Sequence, residues 1–252
     1  MINVSVLILA KNEENNIAEC IKSCNFADEI VIIDDFSLDK TVEIAQKLGA
    51  KVVSHAMNGD WGMQQNFALK QAKHEWILFL DADERITKEL ALEIEAMVVK
   101  NEKNAYLIQR RNRFHFNKVS HGVLRPDFVC RLMPKDEVRV EGCVHPAIIT
   151  PYPNKKMNNF MLHYTYDNWH QYFNKMNNYS TLAAQKYIAQ GKKCYFFRDI
   201  ILRPLWAFIK VYFLQCGFLD GKMGWILSVS HYSYTMNKYV KLYYLYKSNG
   251  KL

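Results

Sequence analysis

The chain has 252 residues, half of them hydrophobic, and a formal net charge of +8, enough for one sizeable α/β domain with an appendage. Its six cysteines, at 20, 24, 130, 143, 194 and 216, include no CxxC pair and no dense framework, which excludes a disulfide scaffold and reads as a reduced, cytosolic protein. No run of 18 apolar residues occurs, because Arg203, Lys210, Asp220 and Lys222 interrupt the best stretch, so a spanning helix is not expected.

The N-terminal MINVSVLILAKNEE lacks a basic leader region and a small-residue cleavage site, and VSVLILA (4–10) predicts a strand covered on both faces. EENNIAECIKSC places Ile17, Ile21 and Cys24 at helical spacing. EIVIID (29–34) predicts the second strand, and DKTVEIAQKLG (39–49) a helix closed by Gly49. KVVSHA (51–56) predicts a third strand, GMQQNFALKQAK (62–73) a helix, and EWILFL (75–80) the fourth strand. KELALEIEAMVV (88–99) then sets Leu90, Ile94, Met97 and Val98 on one helical face. This β-α-β-α order implies a doubly wound, mostly parallel sheet flanked by helices.

From about residue 105 the pattern changes. NAYLIQRRNRFHF, DFVCRLMP and PAIITPY read as short strands and loops, and 165–190 and 196–246 as helices rich in Tyr, Phe, Trp and Lys. Composition shifts with them. Residues 1–150 carry 19 basic and 22 acidic side chains, whereas residues 151–252 carry 14 and 3, with 24 of the 34 aromatics. A catalytic domain over 1–160 and a C-terminal helical region over 161–252 are expected. The basic, aromatic C-terminal region suits an anionic surface. Interfacial helices interleave aromatics with Lys and Arg in this way; an ordinary helical subdomain packed on the core would too. The basic residues are dispersed and no nucleic-acid-binding motif occurs, so nucleic acid is not expected as a partner.

Ligands of open α/β sheets bind beyond the carboxyl ends of the strands. Two acidic clusters fall there: Asp34 and Asp35 after the second strand, Asp81 and Asp83 after the fourth. Three carboxylates within Asp81-Ala82-Asp83-Glu84 repel one another unless a cation sits among them. In extended chain Asp81 and Asp83 point the same way, two hard oxygen ligands for Mg²⁺ or Mn²⁺. Helix capping is the plain alternative, but Thr87 is better placed to cap the helix from 88. Neither GxGxxG nor GxxxxGK[ST] follows the first strand, so a nucleotide would be held through carboxylates and metal.

VSVLILAKNEENNIAECIKSC, DEIVIIDDFSLDKTVEIAQKLGA, MQQNFAL and WILFLDADER together resemble the family 2 glycosyltransferases of GT-A fold. RPDFVCRLMPK, VEGCVHP, LHYTY and RPLWAFIKVYFLQCGFLDGKMGW are similar to one branch, the bacterial lipopolysaccharide-core β-1,4-glucosyltransferases acting on an inner-core heptose. The resemblance covers nearly the whole chain. It implies a nucleotide-sugar site made by Ala10, Lys11, Asn12, Glu13, Asp34, Gln64, Asn66, Asp81, Ala82 and Asp83. Asp81 and Asp83 are its D-x-D motif, with Asp83 as the direct metal ligand. His163 could be a third ligand or a satisfied core residue.

An inverting transfer needs a general base. Asp127 is the first candidate, with a turn residue after Pro126 as its plain alternative, and Glu141 the second. Where the family often has Glu after the His of the VEGCVHP block, this chain has Pro146. Arg131 would contact a phosphate or the sheet edge, or form a structural ion pair. The implied protein is a metal-dependent inverting transferase, peripheral on the inner face of the cytoplasmic membrane. It would use a UDP-sugar donor, with UDP-glucose first, and a lipid-linked saccharide acceptor. A polyprenyl-phosphate or surface-glycan acceptor, and a non-catalytic nucleotide- or glycan-binding adaptor, are the rivals. A nucleotidyltransferase would want a basic Gly-rich first turn, which AKNEENN is not.

Overall fold

The computed structural model describes residues 1–114, 117–118 (backbone), 121–143, 146–166 and 168–248; Val144 and His145 of the VEGCVHP block lie outside them. The chain divides into two compact units, Met1–Arg111 with Asp127–His163, and Asn112–Pro126 with Tyr164–Leu252. Residues 112–126 group with the helical unit because Phe114 and Leu124 pack with Tyr172 and Leu227, a long-range contact that no composition shift reveals.

In the first unit β1 (Ile2–Ala10) lies at the centre of the parallel half, between β2 (Ala27–Asp34) and β4 (Trp76–Asp81), with β3 (Lys51–Ser54) outside β2. Between these strands come α1 (Ile17–Ser23), α2 (Thr41–Lys47) and α3 (Trp61–Gln71); β5 (Glu84–Ile86) and α4 (Lys88–Lys100) follow. Alternation along β1 separates two cores. Val4, Val6 and Ile8 pack with Ile17, Ile21, Ala45, Leu90 and Ile94. Leu7 and Leu9 pack with Ala68, Leu69, Ile77 and Phe79 on the α3 side. Helices therefore cover both faces, which is why VSVLILA reads as continuous apolar sequence.

Beyond β4 the sheet becomes antiparallel. It runs β3-β2-β1-β4-β8-β6-β11-β5, through β6 (Ala105–Phe114), β8 (Asp127–Pro134) and β11 (Asn154–Tyr166), with β7 (Asn117–Lys118) on β6. The expected parallel half is present and the whole sheet is mixed. β6 has ten residues and β11 thirteen, longer than the short strands expected. β11 was hard to see because NKKMNNFMLHYTY carries little apolar alternation. β9 (Arg139–Glu141) and β10 (Ala147–Ile149) form a separate two-stranded ladder.

The helical unit contains α5 (Trp169–Ala189), α6 (Arg203–Ile209) and α7 (Gly221–Lys247), with wider π-type turns over Phe196–Leu202 and Lys210–Leu214 and a short 3₁₀ turn over Gly217–Asp220. Ala184 on α5 packs against Tyr239, Leu242 and Leu245 on α7. At the break before α7, a Cβ on Gly224 would lie 1.8 Å from the Gly217 carbonyl oxygen, so backbone approaches backbone where no side chain fits. Among the described residues no single helix is long and apolar enough to cross a membrane. The stretches Phe196–Leu214 and Gly217–Lys247 pass that test only together, bent by 71° at the break.

Thr87 has the expected capping role: its hydroxyl oxygen accepts from the Leu90 amide at 3.2 Å and its hydroxyl donates to the Phe160 carbonyl at 2.9 Å. Thr87→Ala removes both ties and is expected to lower stability by about 1 to 2 kcal/mol, read from the urea midpoint at unchanged slope.

Candidate active site

Strand register brings the first candidates together. Ala10 on β1 stands opposite Asp34 on β2, and Leu9 opposite Asp81 on β4, so three carboxyl ends meet at one edge. The turns after β1 and β2 are laced to each other. The Asn12 amide donates to Ser37 Oγ at 2.8 Å, and the Leu38 amide returns a bond to Asn12 Oδ1 at 2.8 Å. The Glu13 amide donates to Thr41 Oγ1 at 2.7 Å, and the Glu14 amide to Asp39 Oδ2 at 3.0 Å. Lys11 Nζ reaches Asp35 Oδ2 at 2.7 Å, and this bond, opposed by burial and helped by the Met57 amide, holds the Asp35 carboxyl below its ordinary range. Asn12 and Phe36 both adopt left-handed φ, 55° and 51°. Asn tolerates that region; exposed Phe36 is strained there and held by the lacing around it.

Asp34 is 2% exposed. Its Oδ2 accepts from the Ser37 amide at 3.0 Å, while Oδ1 is buried with no hydrogen-bond partner. A buried acceptor without a donor costs free energy unless a ligand supplies one.

The acidic cluster contains a cation, and it is a guanidinium. β8 runs antiparallel to β4, with Leu132 opposite Leu78, so the preceding Arg131 lies alongside the carboxyl end of β4. Its Nη2 bonds Asp81 Oδ2 at 2.5 Å and Glu84 Oε1 at 2.7 Å. Glu84 is fully buried and also accepts from the Asp81 amide at 3.0 Å. Burial raises the Glu84 carboxyl above its ordinary range, Arg131 opposes this and Asp81 adds to it. Burial would lower the Arg131 guanidinium, but Asp81 and Glu84 outweigh that and raise it. Of the readings open for Arg131, the structural ion pair is the one present.

The chain turns at Ala82 and Asp83 between β4 and β5, so the extended-chain alternation expected to align Asp81 with Asp83 does not hold. Asp81 is committed to Arg131. Asp83 Oδ2 faces His163 Nε2 at 3.3 Å, His163 being carried by β11 opposite Glu84 on β5. Among the described residues no group of three or more His, Cys, Asp or Glu side chains is arranged as a ready-made metal centre. Ala82 supplies its carbonyl to Arg85 Nη1 at 2.7 Å.

The two base candidates differ. Asp127 is 46% exposed and gripped by Arg110, Nε to Oδ1 at 3.1 Å and Nη2 to Oδ2 at 2.5 Å. Arg110 Nη1 also stands 3.6 Å from Glu84 Oε1, so Asp127 joins the network that holds Asp81. Glu141 is 59% exposed and, among the described residues, pairs with Arg139 at 2.8 Å. It adjoins a separate cleft of about 390 Å³ lined by His55, Asn66, Phe67, Lys70, Val140 and Gly142 among others. Asn66 is fixed there by two bonds to the Val140 backbone, at 2.7 and 2.9 Å. Gln64 is buried, its amide bonded to His55 Nδ1 at 2.6 Å and to the His55 carbonyl at 2.9 Å. It orients His55, which stacks on Phe67.

Sequence reasoning missed Glu84 and Arg110. The third carboxylate of the cluster was in view; its partners come from strands whose pairing is not local.

A family model described as Glycosyl transferase family 2 matches residues 5–201. An uncharacterized glycosyltransferase of Rickettsia conorii is 32% identical over 240 residues, covering 90% of this chain and 84% of that one. LpsC of Rhizobium meliloti, named a lipopolysaccharide core biosynthesis glycosyltransferase, is 28% identical over 251 residues, covering 95% and 92%. Among solved structures, residues 1–349 of TarS from Staphylococcus aureus match 98% of this chain and 92% of that chain, at 15% identity and a TM-score of 0.49.

Arg131→Met leaves Glu84 buried beside Asp81 without its guanidinium, and is expected to lower stability by about 3 to 5 kcal/mol at neutral pH. A carboxyl raised in the folded state binds a proton there that the unfolded chain releases. The deficit of the variant therefore grows as pH rises from the ordinary carboxylate range through the raised Glu84 value, and shrinks in mild acid. Urea titrations of both proteins at pH 5 and pH 8 check the size and the sign.

Proposed function

The chain belongs to glycosyl transferase family 2, and from that premise we propose an inverting transferase that moves a hexose, glucose first, from its UDP conjugate in β-linkage onto a lipid-linked saccharide. An inner-core heptose of lipopolysaccharide or lipooligosaccharide is the acceptor this reading favours, and the inner face of the cytoplasmic membrane the place of work. The observation that carries the donor site is the orphaned Asp34 Oδ1, buried between the two laced turns. A ribose hydroxyl supplies the donor it lacks. The similarity to LpsC over nearly the whole chain supports the acceptor class.

Asp83 and His163 fit a divalent ion, Mg²⁺ or Mn²⁺: a carboxylate oxygen and an imidazole nitrogen face each other at 3.3 Å. Asp81 could join them only by leaving Arg131. When bound, the ion offsets negative charge on the leaving diphosphate. Arg131 holds the Asp81 carboxylate and Glu84 the Asp81 amide, next to the turn that carries Asp83, before any ligand arrives. Asp127 takes the proton of the attacking hydroxyl. Arg110 stands between Asp127 and Glu84, so a small swing toward Glu84 frees the base. Glu141, beside the separate cleft, is the alternative base.

Calorimetric titration of a UDP-sugar panel, with Mn²⁺ and again with chelator, tests the donor site. Metal-dependent binding of one UDP-hexose is expected; no binding of any UDP-sugar in either condition overturns the reading. Asp83→Ala is expected to abolish turnover with the fold intact, and near-wild-type activity in a folded variant sinks the metal assignment. Asp127→Asn is expected to lower kcat by about 10²- to 10⁴-fold with donor affinity kept; the same loss in Glu141→Gln with Asp127→Asn active reassigns the base.

A further inference from the structure

Within the helical unit, the segment from Tyr195 to Val229 turns its large side chains outward. Phe196, Phe197, Trp206, Phe213, Leu214 and Trp225 are each more than half exposed. Exposed apolar area of this extent marks an interaction surface. A 71° bend separates Phe196–Leu214 from Gly217–Lys247 within the band.

Its charge is one-sided. The acids of the segment are Asp199 and Asp220, and both are satisfied internally. Asp199 is buried on Arg198, at 2.8 Å, and Arg203, at 2.5 Å. Asp220 accepts from the His121 amide at 2.9 Å. Arg198, Arg203, Lys210 and Lys222 supply the opposite charge.

A second group of cations adjoins the band through Arg203. Lys192 Nζ lies 3.7 Å from the ring centre of Tyr187 and 5.7 Å from that of Tyr239. Lys238 Nζ lies 5.5 and 5.0 Å from the same two rings. Arg203 Nη1 donates to Tyr239 Oη at 3.1 Å. Three cations thus converge on two tyrosine rings, and among the described residues neither Lys192 nor Lys238 has an ion-pair partner. The aromatic faces give each cation a modest attraction but leave the net charge standing. Burial and the neighbouring cations lower the Lys238 ammonium, against the pull of Tyr187. An anion placed among the three would relieve that strain.

We propose that this face docks on an anionic bilayer, the Tyr195–Val229 band entering the headgroup–acyl boundary while Lys192, Arg203 and Lys238 receive a lipid phosphate. Trp and Tyr beside Lys and Arg suit that boundary, where one end of a side chain is apolar and the other wet. A second copy of the chain fits less well, because a two-fold contact sets identical patches together and would press the same cations against each other. The inference deepens the membrane side of the proposed function and rests on it. Donor binding does not depend on it, so the two fail separately.

The experiment is flotation of the full-length chain with vesicles of phosphatidylcholine alone and with phosphatidylglycerol added, at physiological salt. Co-flotation with the anionic vesicles and little with the neutral ones is expected. Lys192→Gln should weaken partitioning about five-fold, the effect of one basic residue at such a surface, and Trp206→Ser with Phe213→Ser by at least about ten-fold. Both variants should keep the parent's far-ultraviolet circular dichroism and urea midpoint, which shows that they fold. Absence of flotation, equal flotation of the Trp206/Phe213 variant, inorganic phosphate bound at Lys192 without vesicle binding, or a concentration-dependent dimer dispersed by that variant would each overturn the proposal.

Discussion

The carboxyl edge of the parallel strands depends on a buried carboxylate and the guanidinium that pairs with it. Glu84 has no solvent access and is held by Arg131 and by the Asp81 amide. Without Arg131, two carboxylates at the end of β4 would share a low-dielectric site, and one of them would have to take up a proton. Arg131 arrives on β8, an antiparallel strand. The carboxyl end of the parallel half is therefore held in shape by the antiparallel half, and the two halves of the sheet are one device rather than a fold with an extension.

That arrangement divides the labour among carboxylates that look alike in sequence. Asp34 has one oxygen tied to Ser37 and one open. Asp35 is tied to Lys11 and the Met57 amide. Asp81 is spent on Arg131, Asp83 faces His163, and Glu84 is a buried strut. Each assignment follows from what the side chain touches. Among the described residues Asp34 Oδ1 is buried without a hydrogen-bond partner, and Asp83 Oδ2 faces His163 Nε2 at 3.3 Å. Crossed bonds between the turns after β1 and β2 fix the first of these before a ligand binds, which limits the ordering cost of binding.

The parallel strands and helices of residues 1–100 were legible because their signals are local: continuous apolar runs for strands covered on both faces, 3.6-residue spacing for helices, and a threonine before Lys88. The acidic clusters at the ends of β2 and β4 were legible in the same way, as short spacings at strand ends. Arg131, Arg110 and Glu84 were not legible as a network, because nothing local in DFVCRLMP says that it pairs antiparallel with WILFLD. The alignment expected of Asp81 and Asp83 failed because a strand period was extended through a turn. β11 and the grouping of 112–126 with the helical unit were missed for the same reason, since each depends on contacts distant in sequence.

The quartet Asp81-Ala82-Asp83-Glu84 raises the question of which cation tolerates three carboxylates so close together, and the geometry divides the answer. Two of the three, Asp81 and Glu84, share Arg131 from within the chain, a cation that is present whether or not substrate is bound. The third, Asp83, sits in the turn that follows Asp81 and faces His163 at 3.3 Å. A carboxylate gripped by a guanidinium is a poor ligand for a second cation, because the exchange forfeits a buried ion pair. The two aspartates of Asp81-Ala82-Asp83 are thus unequal: Asp81 is held by Arg131, whereas Asp83 faces His163.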